Sequence, residues 1–328
     1  MTSPTAPAQA QLLLLDKHQV DDLLHLDDVQ RAVREAFVLH SEHAGRVFPV
    51  VRERLDTGGV FGIKSGDVQS QGLLGFKAAG FWPANRQRGG EPHQATILLI
   101  DPATGRPLCV VDGNAVTTVR TGAAGGLGLQ RLARRGSVRL CLFGTGVQAR
   151  IQLDFALRVA PSLREVLYVS ASGKPNAAFE AHFAGRCRIA PASDRNAAVA
   201  ASDIVITATP GGGALFDLEA VKPGTHLNCV GADTRGKREL PEGLLARARL
   251  VVDDRVQAGQ IGEMQWAPGT DCVELGDLLT GKAAFERAAG DITVFDMTGL
   301  ALQDLTVARL LHARAAETGT GTRIAWPW

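Results

Sequence analysis

The sequence is poor in the features that mark several protein classes. Its 328 residues hold five cysteines, Cys109, Cys141, Cys187, Cys229 and Cys272. None forms a CxxC pair, and three sit inside apolar, strand-like runs. That pattern fits reduced core thiols in a cytoplasmic protein rather than a disulfide framework, and no metal site is expected. No apolar run approaches the roughly 20 residues needed to span a bilayer. The N-terminal MTSPTAPAQAQLLLLD has neither a basic n-region nor a long h-region, so it does not read as a secretory signal. Neither charge is in excess: 35 Lys and Arg face 34 Asp and Glu. Such balance argues against nucleic-acid and polybasic membrane partners and leaves charge selectivity to a local cluster. There is no internal repeat and no low-complexity linker.

What is present is a large apolar fraction, 45%, enough for a sizeable core and two domains. After LLLLD, a first strand, Asp27 is placed to cap a helix in which Val29, Ala32, Val33, Ala36, Phe37 and Leu39 recur at helical spacing. Extended segments follow (RVFPVVRERL, GVFGIKSG, LLGFKAAGFW, ATILLID, PLCVVDG), separated by Gly, Pro and Asp-Pro turns. They predict a mainly antiparallel sheet. A helix is expected from about Asn114 to Ala133. Beyond it, apolar strands alternate with helices: SVRLCLFG, EVLYVSAS, CRIA, DIVITATP, THLNCVG, ARLVVDD and DITVFDM are the strands. This alternation predicts an α/β fold with a doubly wound, parallel sheet. A last helix, LALQDLTVARLLHARAA, leaves that sheet.

The stretch LCLFGTGVQAR carries Gly144-x-Gly146-x-x-Ala149 between a strand and a helix. The first glycine permits a tight turn, the second lets the backbone approach a pyrophosphate, and the small third residue lets helix and strand pack closely. An ordinary tight turn is the alternative. The next strand ends Val169-Ser170-Ala171-Ser172-Gly173-Lys174, without the acid that binds an NAD ribose. Lys174 could meet a 2′-phosphate or simply be solvated, so NAD(H) and NADP(H) both stay open. Thr207 and Thr209 lie at the carboxyl edge of a later strand, as cofactor contacts or as plain β-branched strand residues.

Several cations stand among apolar residues. Lys77 lies in LLGFKAAGFW, Arg120 in VTTVRTGAA, Arg52 and Arg54 in VFPVVRERL, and Lys64 in GVFGIKSG. A charge in such surroundings needs a partner or a ligand. Several on neighbouring strands suggest a carboxylate site, against the alternative of scattered surface charges. Asp233, after the strand THLNCVG, stands where α/β sheets bind ligands and could exchange a proton with an amine or water; a turn or cap role is the alternative.

Together these stretches resemble the ornithine cyclodeaminase/μ-crystallin family. The residues carrying the likeness are GFKAAGFWPAN, HQATILLIDPATGRPLCVVDGNAVTTVRTGAA, FGTGVQAR, ASDIVITATPG, VKPGTHLNCVGADTRGKREL, ELGDLLTGK and DITVFDMTGLALQD, from about Asp21 to Leu311. The resemblance implies a homodimer of two-domain chains. A Rossmann-type NAD(P) domain is expected over 122–303. Residues 1–121 with 304–328 are expected to form an α+β domain for substrate binding and dimerisation. The implied chemistry is hydride transfer at the α-carbon of an amino acid or its imine. The resemblance places Lys77 and Arg120 on the substrate carboxylate, with Lys77 close to the reacting centre. Arg52 joins them by a looser match that leaves Arg54 open. Asp233 is implied to handle amine or water protons. The cofactor set expected is Thr121, Gly144, Gly146, Val147, Gln148, Ser170, Ser172, Lys174, Thr207, Thr209, Val230, Gly231, Thr298 and Gly299.

Two departures from the family pattern matter. Lys64-Ser65 replaces a common Met-Pro, adding positive charge that would repel a basic substrate side chain and attract a second carboxylate. The helix after Arg120 reads TGAAGGLG where relatives are alanine-rich; close helix packing is its plain explanation. The expectation is therefore an NAD(P)H-dependent oxidoreductase acting on a small α-imino acid, with iminosuccinate reduced to aspartate favoured. Lys64 with Ser65 would bind the side-chain carboxylate. The alternatives are deaminating cyclisation of ornithine with catalytic NAD, and a non-enzymatic NADPH-binding protein.

Overall fold

The computed structural model describes residues 10–326; the MTSPTAPAQ tail lies outside them. Two compact units form, Met1–Thr117 with Ala301–Trp328, and Thr118–Leu300. No helix among the described residues is long and apolar enough to cross a membrane.

The second unit is built on an eight-stranded sheet in which every pairing is parallel. Its strands in chain order are Arg139–Phe143, Glu165–Val169, Arg188–Pro191, Ile204–Thr207, His226–Cys229, Ala248–Val252, Cys272–Glu274 and Ile292–Asp296. Their spatial order is 3-2-1-4-5-8-6-7. The first five follow the order of a dinucleotide-binding sheet, and the direction of winding reverses between Arg139–Phe143 and Ile204–Thr207. Continuous apolar runs form these strands because the sheet is covered on both faces: Leu140, Cys141, Leu142 and Phe143 are all buried.

The glycine-rich run in helix Gly113–Leu132 has a packing cause. A Cβ at Gly122 would lie 2.6 Å from Ile151 and Phe155, and one at Gly128 would lie 2.4 Å from Phe295. At Gly125 it would meet the Gln152 side chain at 2.0 Å. The glycines thus let this helix lie directly on helix Val147–Val159 and on the sheet. Polar groups fix the seam. Gln152 Nε2 donates to the Thr121 carbonyl (2.8 Å) and Asn228 Nδ2 to that of Gly125 (3.0 Å). Asn228 in turn meets His226, whose imidazole burial pushes down to about 3 and so keeps neutral.

The first unit holds a sheet in which the Ala10–Leu15 strand pairs antiparallel with Thr322–Trp326 and parallel with Pro107–Asp112. The strands Val60–Val68, Leu73–Phe81, His93–Ile100 and Pro107–Asp112 then form an antiparallel meander. Helix Ala301–Thr318 lies on one face: Leu302 would meet a Cβ at Gly66, and Leu305 one at Gly75. Helix Leu26–Ser41 packs against that last helix, with Thr306 Oγ1 donating to the Ala32 carbonyl at 3.1 Å.

Two local expectations are corrected. Asp27 does not cap its helix; the N-cap is His25, and Asp27 falls in the first turn, where its charge favours the helix dipole instead. RVFPVVRERL is not one strand but two, Arg46–Val47 and Val51–Arg54, with Pro49 between them. All five cysteines are free, and burial pushes the Cys109 and Cys141 thiols up to about 12.

Candidate active site

The cations of the first unit converge through strand register. Lys64 stands directly opposite Lys77, and Arg52 opposite Gly62. Antiparallel partners share a face, and residues two apart on one strand share it too. Arg52, Lys64 and Lys77 therefore project from one face, the face on which the last helix lies. The Arg52 side chain passes over Gly62, whose Cβ would lie 3.3 Å from its Cδ. Arg54 is on the same face but exposed, opposite Val60. Both lysines are buried, at 8% and 4% exposure. Lys77 Nζ donates to Asp304 Oδ1 (2.8 Å) and to Thr117 Oγ1 (3.2 Å). Asp304 comes from the last helix and is fully buried. Its signal in the sequence is a lone acid in the mainly apolar run LALQDLTVARLL.

Ser65 is the correction in this group. Strand Val60–Val68 runs in unbroken register, so Ser65 faces away from Lys64 and stands opposite Phe76. It cannot bind the same ligand group as Lys64.

In the second unit, the glycine loop lies at the point where winding reverses. Gly144 has φ +107°, and its Cβ would sit 2.6 Å from the Ala208 carbonyl oxygen, so no side chain fits. Gly146 caps helix Val147–Val159 without a side-chain hydrogen bond, and nothing lies within 4 Å of where its Cβ would be. Val147 is 63% exposed, and Gln148 carries a buried Oε1 with no partner among the described residues. This open cradle at a helix N-terminus fits a dinucleotide pyrophosphate. Ser170, Ser172 and Lys174 form a turn at the end of the neighbouring strand.

The remaining cofactor candidates are held by acids that sequence reasoning did not single out. Glu239, fully buried, accepts from Thr209 N (2.7 Å), Thr209 Oγ1 (2.6 Å) and Gly231 N (2.8 Å). It ties the ends of two adjacent strands together. Thr209 thus spends its hydroxyl proton inside the protein, and Thr207 is wholly buried. Val230 is half-buried between them. Asp253 accepts from Thr298 N (2.7 Å), Thr298 Oγ1 (2.7 Å) and Gly299 N, while Gln257 Nε2 donates to the Gly299 carbonyl (2.9 Å). Gly299 has φ +82°, and Arg120 Nη1 lies 2.4 Å from where its Cβ would be. The glycine therefore lets the buried guanidinium lie against the backbone, next to Thr121 in sequence. Asp233 is half-buried and accepts from Lys237 Nζ (2.6 Å) and Thr234 Oγ1 (3.1 Å). Glu239 stands in the charged run DTRGKREL and Asp253 is followed by Asp254 and Arg255, so neither stands out in the sequence.

Glu263, also buried, accepts from Glu239 N at 2.6 Å. Burial, with the charge of Glu239 adding to it, pushes its carboxyl from 4.5 up to about 7. Burial likewise raises Glu239 and Asp296. The folded chain holds the Glu263 proton more tightly than the unfolded chain does. Its stabilising effect is complete below about pH 4.5 and is lost as the pH rises through about 7. Glu263→Gln is expected to flatten the fall in Tm across that window. A fall unchanged in the variant would assign the titration to other groups.

The whole chain has relatives of known kind. Alanine dehydrogenase of Archaeoglobus fulgidus is 32% identical, over 96% of this chain and 98% of that protein. Iminosuccinate reductase of Paracoccus denitrificans is 31% identical, over 95% and 99%. The solved structure of the latter in complex with NAD+ superposes with a TM-score of 0.87, covering 96% of this chain and 99% of that one. An archaeal alanine dehydrogenase dimer with bound NAD superposes at 0.91, with 30% identity and coverage of 97% and 100%. Residues 11–319 match one family along nearly their full length, and the chain belongs to it: the ornithine cyclodeaminase/mu-crystallin family.

Proposed function

We propose that this NAD(P)-dependent oxidoreductase reduces a small α-imino acid to an amino acid, with iminosuccinate, giving aspartate, the preferred substrate. The observation that carries the reading is the register that sets buried Lys64 against buried Lys77. Like charges directly opposite on a sheet repel, and anions between them relieve the repulsion. Asp304 supplies one anion; the carboxylates of a dicarboxylic substrate supply others.

Lys77 and Arg120, with Arg52, bind the α-carboxylate. Lys64 binds the side-chain carboxylate and repels a basic side chain. Asp233, beside Lys237, holds or passes the proton on the substrate nitrogen. Gly144, Gly146, Val147 and Gln148 hold the pyrophosphate, and the locked Thr298–Gly299 and Thr209–Gly231 backbones carry the rest of the cofactor. When bound, the reduced nicotinamide supplies hydride to the imine carbon. Orientation of the two reactants contributes much of the rate.

Purified protein is mixed with NADH or NADPH and then with oxaloacetate plus ammonia, or pyruvate plus methylamine. Nicotinamide absorbance is expected to fall fastest with the dicarboxylic imine. Silence with both imines, with ammonia released from ornithine, would move the chain to the cyclodeaminases.

The reading includes a homodimer of this chain in the cytoplasm. The face of the first unit's sheet opposite the last helix carries Phe61, Ile63, Phe76, Leu98 and Val110, none fully buried, with Phe76, Leu98 and Val110 in one cross-strand row. Such a patch supports an interface, and a second copy is the occupant that the dimeric archaeal relative favours. Phe76→Arg is expected to give a monomer in sedimentation, where the unaltered chain gives a dimer. A monomeric parent would remove this part of the reading.

A further inference from the structure

The turn after strand Glu165–Val169 lies at the carboxyl edge of the parallel sheet. It is tied to the glycine loop at both ends: Gly144 N donates to the Val169 carbonyl (2.9 Å), and Asn176 Nδ2 donates to Thr145 Oγ1 (3.1 Å). Between those ties the chain reads Ser170-Ala171-Ser172-Gly173-Lys174-Pro175. Ser170 Oγ donates to the Lys174 carbonyl (2.7 Å) and lies 3.4 Å from Ser172 Oγ. Gly173, at φ +67°, closes the turn by donating to the Ser170 carbonyl (3.1 Å). The turn is therefore shaped by its own hydrogen bonds and stands where the adenine ribose of a dinucleotide lies in such sheets.

Its chemistry is one-sided. The position where a carboxylate would accept from a ribose 2′-hydroxyl is Ser170, and no acid occurs from Ser170 to Asn176. The nearest acid in sequence, Glu180, is engaged by the Tyr168 hydroxyl at 2.5 Å. Lys174 and Ser172 are exposed, and no carboxylate pairs with Lys174 among the described residues. An exposed ammonium beside the exposed Ser172, with no carboxylate in the turn, forms a site for a phosphate dianion.

We infer that Lys174, on the Ser170–Lys174 turn, selects NADP(H) over NAD(H) by binding the 2′-phosphate. This deepens the proposed function, since it rests on a nicotinamide dinucleotide being the cofactor. It separates this chain from the relatives described above, whose structures hold NAD.

The test is binding without substrate, read by the change in nicotinamide fluorescence on titration and repeated by calorimetry. NADPH is expected to bind at least about tenfold more tightly than NADH, roughly what one charge-assisted contact supplies. The ratio should shrink as salt rises, because the turn is exposed. Lys174→Ala should bring the ratio close to one while leaving NADH affinity within twofold. Ser170→Asp should reverse it toward NADH. Equal or tighter binding of NADH by the unaltered chain, or a ratio unmoved by Lys174→Ala, overturns the inference and leaves the proposed reduction standing. Failure to bind either cofactor overturns both.

Discussion

Replacing Lys77 by methionine is expected to lower kcat/KM for the imine by at least about a hundredfold, the cost of losing a charged contact at the reacting centre. The substitution also has a structural cost. Asp304 is fully buried and Lys77 is its ion-pair partner. Removing one member of such a pair costs about 3–5 kcal/mol, so lost activity alone would be ambiguous. The double variant Lys77→Met/Asp304→Leu separates the two effects. It removes both charges together, which is often nearly neutral for stability. Thermal unfolding should recover toward that of the unaltered chain while catalysis stays low. Lys64→Met should behave differently, altering the preference between dicarboxylic and monocarboxylic imines more than turnover with the latter. Equal damage to all substrates from both single variants would end the division of roles between the two lysines.

The second large effect is expected at the glycine loop, where two substitutions that look alike should part company. Gly144→Val puts a branched side chain at φ +107° and against the Ala208 carbonyl. Strain and overpacking of this kind cost about 1–3 kcal/mol each, so Tm should fall along with cofactor binding. Gly146→Ala meets no steric obstacle: its φ is −78°, and its Cβ position is open. It should fold normally. The added methyl occupies the space into which the pyrophosphate backbone contact must come, so cofactor affinity should drop at unchanged stability. Normal cofactor affinity in Gly146→Ala would place the dinucleotide elsewhere.

The parallel sheet was the most legible part of the chain, because strands buried on both faces are written as apolar runs and helices as period-3.6 patterns. Seven of its strands follow from that contrast; Cys272–Glu274 is too short to carry it. Helix Lys17–Leu23 was missed for the same reason, although Asp16 and Gln19 form a capping box. Strand Thr322–Trp326 is exposed, so nothing in its apolar content announces it. The site was legible in kind but not in arrangement. Buried cations stood out among apolar neighbours, yet only register reveals that Lys64 faces Lys77 and that Ser65 does not. Acids such as Asp304, Glu239 and Asp253 look ordinary in sequence. Their roles arise from contacts tens or hundreds of residues away, as between Lys77 and Asp304. The glycines of TGAAGGLG became intelligible only with the side chains of Ile151, Gln152, Phe155 and Phe295 beside them.

The proposed reaction consumes a reduced nicotinamide and makes an amino acid from an imine. The most direct measurement is stoichiometric: NAD(P)H oxidised and L-aspartate formed, followed together after adding oxaloacetate and ammonia. One equivalent of each is expected, proportional to enzyme and time. Ammonia released from an amino acid with no net change in nicotinamide would contradict it.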